Sequence, residues 1–334
     1  MSEIAGKRKQ ALEHAGSLRV MDRGLVRVTG RDRLDWLHNL TTNAVKTLTA
    51  GDGNYAFAIN VQGRTLFDLN LLVLDDAIWL DIDLRWFDQA LGHLNKYIVV
   101  EDVELTPITA EWAQFDVLGG KTADVIEGLG LGHNFGALAD VQHVAGTVKG
   151  AAVRCVKNNL GAIGRATLYA ESAQTTEFES ALAAAVIAVG GIVIDAELLN
   201  ILRIEAGVPR SVDDIDHAVI PPETLQIERG INYVKGCYLG QEVIERMRSR
   251  GSMARKLTVM RADGDRLIPH NAPVETGDKE IGRVTSSCHS SAAGGVLMLG
   301  YVKTLLAGAG QKLRARIDEN ATVEIEILDG PLIR

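Results

Sequence analysis

Lys235-Gly236-Cys237-Tyr238-Leu239-Gly240-Gln241-Glu242, followed by Arg246, sets a cation, a thiol, a phenol and a carboxylate around two glycines. Gly236 and Gly240 permit backbone conformations that other residues avoid, or a close approach to another group. The run from Gln241 to Arg250 reads as a short helix whose electropositive start follows the cysteine, and Lys235 lies just before it. A helix N-terminus and a nearby cation both stabilise a thiolate, so the stretch reads as a device that presents a reactive Cys237. The plainer alternative is a glycine turn ahead of a surface helix, with an incidental buried cysteine. At the helical period Glu242, Glu245, Arg246 and Ser249 share one face and Val243, Ile244 and Met247 the other, and Glu242 and Arg246 form an i,i+4 pair.

Upstream, residues 207–230 are rich in Pro, Asp and Gly and read as a long ordered loop leading to this stretch. Within it Asp213-Asp214-Ile215-Asp216-His217 holds metal-ligand residue types, but no second ligand cluster is placed by spacing, so a solvated loop is expected and no metal site. Asp195 predicts the cap of a helix over 196–206 that stops at Gly207 and Pro209, and 177–189 reads as an Ala-rich helix. Near the N-terminus, Leu34, Leu37 and Leu40 stand at helical spacing. Residues 55–60, 65–74 and 78–82 then read as strands, 86–97 as a helix and 99–105 as a strand. The glycine cluster from Gly128 to Gly136 follows a helix-like 122–127 rather than a strand, so it reads as a loop and not as a dinucleotide site. Beyond Arg255 short strands at 256–261, 282–285, 296–302, 312–317 and 322–328 predict a small C-terminal β-barrel. Strands and helices alternate without a long βαβ rhythm, which makes the class α+β.

The chain has 334 residues, 46% hydrophobic and 23% charged, which is soluble-globular composition and enough for two or three domains. A net charge of −8 argues against a protein whose main task is neutralising nucleic-acid phosphates, so direct nucleic-acid binding is not expected. The basic cluster Arg246-Met247-Arg248-Ser249-Arg250 reads as cations complementing a helix C-terminus. Cys155, Cys237 and Cys288 are few and widely spaced, which indicates neither a disulfide framework nor a zinc site and fits the cytoplasm. The longest apolar stretch, 181–194, is short and glycine-interrupted, and the charged N-terminus precedes no apolar run, so neither a membrane segment nor a signal peptide is expected.

Two acids complete the candidate set. In Leu66-Phe67-Asp68-Leu69-Asn70-Leu71 strand alternation separates Asp68 and Asn70 from the apolar Phe67, Leu69 and Leu71, and a carboxylate so flanked is partly desolvated and suited to proton transfer or to binding an amine. An exposed or capping Asp on a half-buried strand is the alternative. Glu205 sits in the last turn of its helix, where the dipole disfavours negative charge. A ligand would justify it there; so would a solvated pairing with Arg203 or Arg210.

Every fixed position of KGCYxGQExxxR, the signature of the YgfZ-type folate-binding proteins, relatives of the glycine-cleavage T-protein, is present from Lys235 to Arg246. The chain resembles that family along nearly its whole length. The run Gln62 to Asp68, the segment Arg203 to Gly207 and Gly282-Arg283-Val284-Thr285-Ser286 carry the rest of the likeness. The resemblance implies an aminomethyltransferase-like fold around a central folate channel, with residues 1–250 forming a folate-binding region of two interleaved subdomains and 255–334 the barrel. It implies tetrahydrofolate as cofactor, held by Asp68, which aligns with the T-protein acid facing the bridging nitrogen, and by Glu205, which would accept two parallel N–H bonds from a pterin edge. Lys235 and Arg246 would tune Cys237 or contact its partner, and Tyr238, Gln241 and Glu242 would complete the binding set, with Cys237 and Asp68 as the catalytic candidates. The implied function is that of an accessory protein supporting iron-sulfur cluster assembly or repair, whose partners are iron-sulfur client or assembly proteins. The competing implication is a tetrahydrofolate-dependent aminomethyltransferase or demethylase, in which Asp68 manages protonation at the folate nitrogen. Retention of Asp68, which some YgfZ-type relatives replace, favours the enzyme; the cysteine signature, which T-proteins lack, favours the accessory role. Both place the thiol at the mouth of a pterin pocket shared with the two acids.

Overall fold

The computed structural model describes residues 2–132, 135–251 and 253–334. In chain order the first half comprises α1 (Ser2–Glu13), β1 (Gly16–Val20), β2 (Arg23–Thr29), α2 (Arg33–Leu40), β3 (Gly53–Ile59), β4 (Thr65–Val73), β5 (Ile78–Asp83), α3 (Phe87–Asn95), β6 (Glu104–Pro107), β7 (Trp112–Leu118), α4 (Thr122–Gly128), β8 (His143–Val148) and β9 (Ala151–Lys157). The second half comprises β10 (Arg165–Glu171), α5 (Thr175–Ala188), β11 (Ile192–Val193), α6 (Ala196–Glu205), α7 (Ile227–Gly230), α8 (Gln241–Arg250), β12 (Arg255–Ala262), β13 (Pro273–Thr276), β14 (Lys279–Ser290), β15 (Gly295–Lys303), β16 (Lys312–Arg316) and β17 (Thr322–Ile327). The class is α+β, as the pattern predicted.

Two open sheets and a barrel organise these elements. A five-stranded sheet runs β3-β4-β5-β2-β6, and a six-stranded sheet runs β11-β1-β7-β10-β9-β8. Because β1 belongs to the second sheet and β2 to β6 to the first, the smaller sheet is an insertion within the larger one. Phe67, Leu69 and Leu71 of β4, with Leu80 and Ile82 of β5, are fully buried against Leu37 of α2 and Ala90 and Leu94 of α3. In the larger sheet Phe115, Val117 and Leu168 bury against Val125 of α4 and Phe178 and Val186 of α5. Each such side chain contributes about 1.5–3 kcal/mol of burial free energy. Side chains alternate along a strand, so the opposite faces carry Asp68 and Asn70 of β4, Asp81 of β5, and Asp116 and Thr167 of β7 and β10. These polar faces meet in the middle of the molecule. An aromatic and aliphatic cluster including Tyr55, Phe57, Trp79, Tyr169 and Ile231 fills the rest of that space.

The barrel closes in the order β12-β15-β14-β13-β16-β17. Its interior is filled by Met260, Val274, Val284, Met298 and Ile325, while Leu257, Val259, Leu299 and Tyr301 point outward and bury against Ile201 and Ile204 of α6. The sequence reading missed β13, and β14 is far longer than the expected 282–285, with its register broken by a bulge between Val284 and Ser286. That bulge interrupts the alternation that marks a strand. The expected strand over 99–105 is also corrected: Val99 and Val100 are 80% and 88% exposed in a loop whose N–H groups donate to the Glu101 carboxylate, and pairing begins only at Glu104. The loop from Gly128 does follow a helix; its residues His133 and Asn134 lie outside the described residues.

Candidate functional site

Between the polar faces of the two sheets lies a cavity of about 150 Å3, lined by Asp68, Asn70, Asp81, Asp116, Arg203 and Ser211 among others. Asp68 is 6% exposed, and both of its oxygens are engaged. The Tyr55 hydroxyl donates to Oδ2 at 2.8 Å and the Ser211 hydroxyl donates to Oδ1. Tyr55 comes from β3, one strand away, and its ring lies under the Arg229 guanidinium at 4.7 Å. Asp68 is thus fixed in rotation and flanked by a cation that also lines the cavity.

Around it stands a set of paired charges that sequence reasoning did not pick out. Asp81 accepts from Arg23 Nε at 2.7 Å and from the Tyr169 hydroxyl at 2.8 Å, which ties the two sheets together across the cavity wall. Asp116 accepts from the Thr167 hydroxyl at 2.7 Å and from Arg165 at 3.3 Å; burial still pushes its carboxyl above the usual range, against the pull of Arg165. Asn70 donates to Asp81 at 3.3 Å, but its own Oδ1, buried, has no partner. These residues come from β2, β4, β5, β7 and β10 and are scattered in sequence. The available signal was the recurrence of single polar residues on the inner face of otherwise apolar strands, as in Ile78-Trp79-Leu80-Asp81-Ile82-Asp83.

Glu205 is not brought to this cavity. Leu199 and Arg203, one helical turn apart on α6, line it, and Glu205 lies two residues, about 200°, further round the helix. Its carboxylate is fully buried elsewhere. Oε2 accepts from Arg8 Nε at 2.6 Å and Oε1 accepts from the Ser290 hydroxyl at 2.7 Å, so α1 and β14 supply its partners rather than Arg203 or Arg210. Arg203 instead donates to Asp214 at 2.6 Å and to the Ser286 hydroxyl at 2.7 Å. The aspartates of 213–216 are not a solvated loop either: Asp214 is fully buried, Asp213 pairs with Arg85 and Arg210, and Asp216 pairs with Arg283. Among the described residues no group of acids, histidines and cysteines is arranged to hold a metal ion.

The signature forms a separate place. Cys237 is exposed, and none of Lys235, Cys237, Tyr238, Gln241, Glu242 and Arg246 lines the cavity that contains Asp68. The expected single site is therefore divided among three places: Asp68 in the cavity, Glu205 buried between α1 and β14, and the thiol on an exposed loop. The loop is docked by its own residues. The Lys235 ammonium donates to the carbonyls of His38 and Thr41 at the C-terminus of α2 and lies 4.8 Å over the Tyr238 ring; burial pulls it down to about 7. His38 returns a contact to the Lys235 carbonyl at 2.8 Å, and Leu239 N donates to Asn39 O at 3.2 Å. Gly240, at φ +77°, presses against the turn of the β3–β4 hairpin so closely that a Cβ would lie 2.2 Å from Asn60 O. Gln241 accepts from Tyr238 N at 3.3 Å, while the buried Tyr238 hydroxyl has no partner. Lys235 is thus spent on α2 rather than on the thiol. Glu242 and Arg246 are both exposed and form no ion pair among the described residues; the pair on α8 is Arg248–Glu245 at 3.6 Å.

Residues 3–232 match the family described as the GCVT N-terminal domain, and residues 255–333 match the glycine cleavage T-protein C-terminal barrel domain. The chain belongs to the glycine cleavage T-protein family. An aminomethyltransferase of Rubrobacter xylanophilus is 24% identical over 304 residues, 90% of this chain and 79% of that protein. A chloroplastic protein of Arabidopsis thaliana, named only as a transferase, is 26% identical over 308 residues, 90% of this chain and 68% of its own. Among solved structures, the glycine cleavage system aminomethyltransferase T from Bartonella henselae superposes with a TM-score of 0.84 at 15% identity, covering 98% of this chain and 89% of that one, which shows a common T-protein fold. The C-terminal barrel that the sequence predicted is present and closed, and it packs on α6. Among the described residues no helix is long and apolar enough to cross a membrane.

Proposed function

We propose that the chain binds tetrahydrofolate between the two sheets and transfers a one-carbon unit in the manner of an aminomethyltransferase. The observation that carries this reading is Asp68, buried in the cavity with both oxygens oriented by Tyr55 and Ser211. The lining suits a pterin. The Oδ1 of Asn70 is a buried acceptor with no partner, and an acceptor left unmatched costs about 1–3 kcal/mol, so a pterin N–H donor would satisfy it beside the already oriented carboxylates of Asp68 and Asp81. Tetrahydrofolate, when bound, supplies the nitrogen that receives the one-carbon unit. Asp68 holds or takes the proton at that nitrogen, the Tyr55 and Ser211 hydroxyls keep the carboxylate aimed, and the sheet faces exclude water. Calorimetric titration with tetrahydrofolate, coupled to single-turnover transfer from an aminomethyl donor, tests the assignment. Asp68→Asn is expected to lower transfer by roughly 10²-fold or more, the usual contribution of a general acid or base. Equal folate binding and equal transfer by Asp68→Asn would remove the basis for this reading.

One observation favours a second reading, that of a YgfZ-type, cytoplasmic accessory protein for iron-sulfur cluster assembly or repair. Cys237 is exposed on a loop with anchors on α2 and the β3–β4 turn, an expensive way to hold an unused thiol. Iron-sulfur client or assembly proteins would meet that loop rather than the cavity. In cells lacking the gene, activity of a cluster-dependent enzyme separates the two: loss with Cys237→Ala but not Asp68→Ala supports the accessory role, and the reverse pattern supports the transferase.

A further inference from the structure

Two surface depressions share Ile220, Glu223 and Ala254 and so make one continuous groove between α8 and the barrel. The smaller end, about 350 Å3, is bounded by Val243, Arg246, Met247 and Met253. The larger end, about 1030 Å3, is bounded by Arg64, Arg255, Ile281, Arg283, Lys303 and Leu305. Neither end reaches the cavity of Asp68.

Its charge runs against that of the molecule. A chain of net charge −8 gathers three more cations than acids here: Arg64, Arg246, Arg255, Arg283 and Lys303 stand against Glu223 and Glu280. Some of this charge is used internally, since Arg255 pairs with Glu223 and Arg283 with Asp216. Arg246 at one end and Lys303 at the other have no ion-pair partner among the described residues, and both are exposed. The floor is aliphatic. At its rim Leu305 is 98% exposed, which leaves a full apolar side chain in water at a cost of about 1.5–3 kcal/mol relative to burial. Apolar surface bounded by unmatched cations is complementary to a segment carrying both aliphatic side chains and carboxylates. Single-stranded nucleic acid fits less well, because no aromatic side chain lines the groove to stack on bases.

We propose that this groove docks an acidic, amphipathic segment of a partner protein, with aliphatic side chains laid on Ile220, Met247 and Leu305 and carboxylates set against Arg246 and Lys303. α8 begins just after the Cys237 loop and lines the groove with Val243, Arg246 and Met247, so the docking surface includes the helix that follows that thiol. The inference does not depend on folate binding.

The test uses the full chain and a fluorescein-labelled synthetic peptide with Glu and Leu at helical spacing, followed by fluorescence anisotropy. A peptide with Lys in place of Glu and a single-stranded DNA of equal length serve as comparators. Saturable binding of the acidic peptide is expected, weakening as salt is raised. Leu305→Asp should weaken it about tenfold or more and Lys303→Glu several-fold, in the range of interface hot spots and charge pairs. Both side chains point into solvent, so circular dichroism and tetrahydrofolate titration should match those of the unaltered protein. Hydrogen exchange with bound peptide should slow at 243–254 and 303–306. No saturable binding, equal binding by both variants, equal binding of the Lys peptide, or protection confined elsewhere would overturn the proposal, and tighter binding of the DNA would overturn it in favour of nucleic acid.

Discussion

Lys235 shows how a charged residue can be chosen for what it anchors. Its spacing from Cys237 suggested that its ammonium stabilises a thiolate, but the ammonium is turned to the two carbonyls that end α2 and to the face of Tyr238. Hydrogen bonds to a charged group contribute about 1.5–3 kcal/mol each at most, enough to decide whether a loop stays docked. Lys235→Met is therefore expected to leave the fold intact while the amide of Leu239, bonded to Asn39 O at 3.2 Å, exchanges with solvent at least about tenfold faster. Unchanged exchange there would return Lys235 to the thiol. Composition and order made the motif legible, because neither strand alternation nor the apolar face of a helix calls for a Lys, a Cys, a Tyr and a Glu around two glycines. The direction in which Lys235 points was not legible, since α2 lies nearly two hundred residues away in sequence, with |i−j| of 197 for His38.

Elements were readable where one rule acts along the whole element. Strand β4 is such a case, with Asp68 and Asn70 opposite a buried Phe67, Leu69 and Leu71, and α6 is another, capped by Asp195 through a 2.8 Å bond from Leu198 N. Readings failed where a bulge interrupts alternation, as in β14, or where β-branched residues occupy a loop, as at Val99 and Val100. Glu205 failed for a helical reason, since the register of α6 decides which side chain meets the cavity and the register was set by packing on the barrel. The edge pair β8–β9 yields a prediction of its own. His143 on β8 accepts at Nδ1 from Arg154 of β9 at 2.8 Å, and burial, with the Arg154 charge, pulls the imidazole down to about 4. The unfolded chain binds a proton near 6.5 while the folded one does not, so the stability tied to neutral His143 is present above 6.5 and is lost as pH falls towards 4. By linkage the loss approaches about 3 kcal/mol at the acid end. His143→Gln should remove that part of the acid sensitivity, which urea unfolding of both proteins at pH 7 and pH 4.5 will reveal as a change in their difference.

At the scale of the whole molecule, buried ion pairs hold the parts together. Arg8 of α1, Glu205 of α6 and Ser290 of β14 meet at one carboxylate, and the Glu205 carbonyl accepts from Leu332 N at 2.8 Å and Ile333 N at 3.1 Å. Arg203, Asp214 and the barrel hydroxyls of Thr285 and Ser286 make a second such junction. Removing one partner of a buried pair leaves an uncompensated charge and costs about 3–5 kcal/mol. Arg8→Met is expected to destabilise the protein by that amount in denaturant titration, and Glu205→Gln in the same chain to restore much of it; a change under about 1 kcal/mol would show that the pair is dispensable. The interleaving of the two sheets carries a different consequence. β1 pairs with β7 on one side and β11 on the other, so on the ribosome the first strand emerges with no neighbour to join and must wait while the entire smaller sheet is translated. The larger sheet is therefore complete only when β11, at Ile192–Val193, has been made, long after every strand of the smaller sheet.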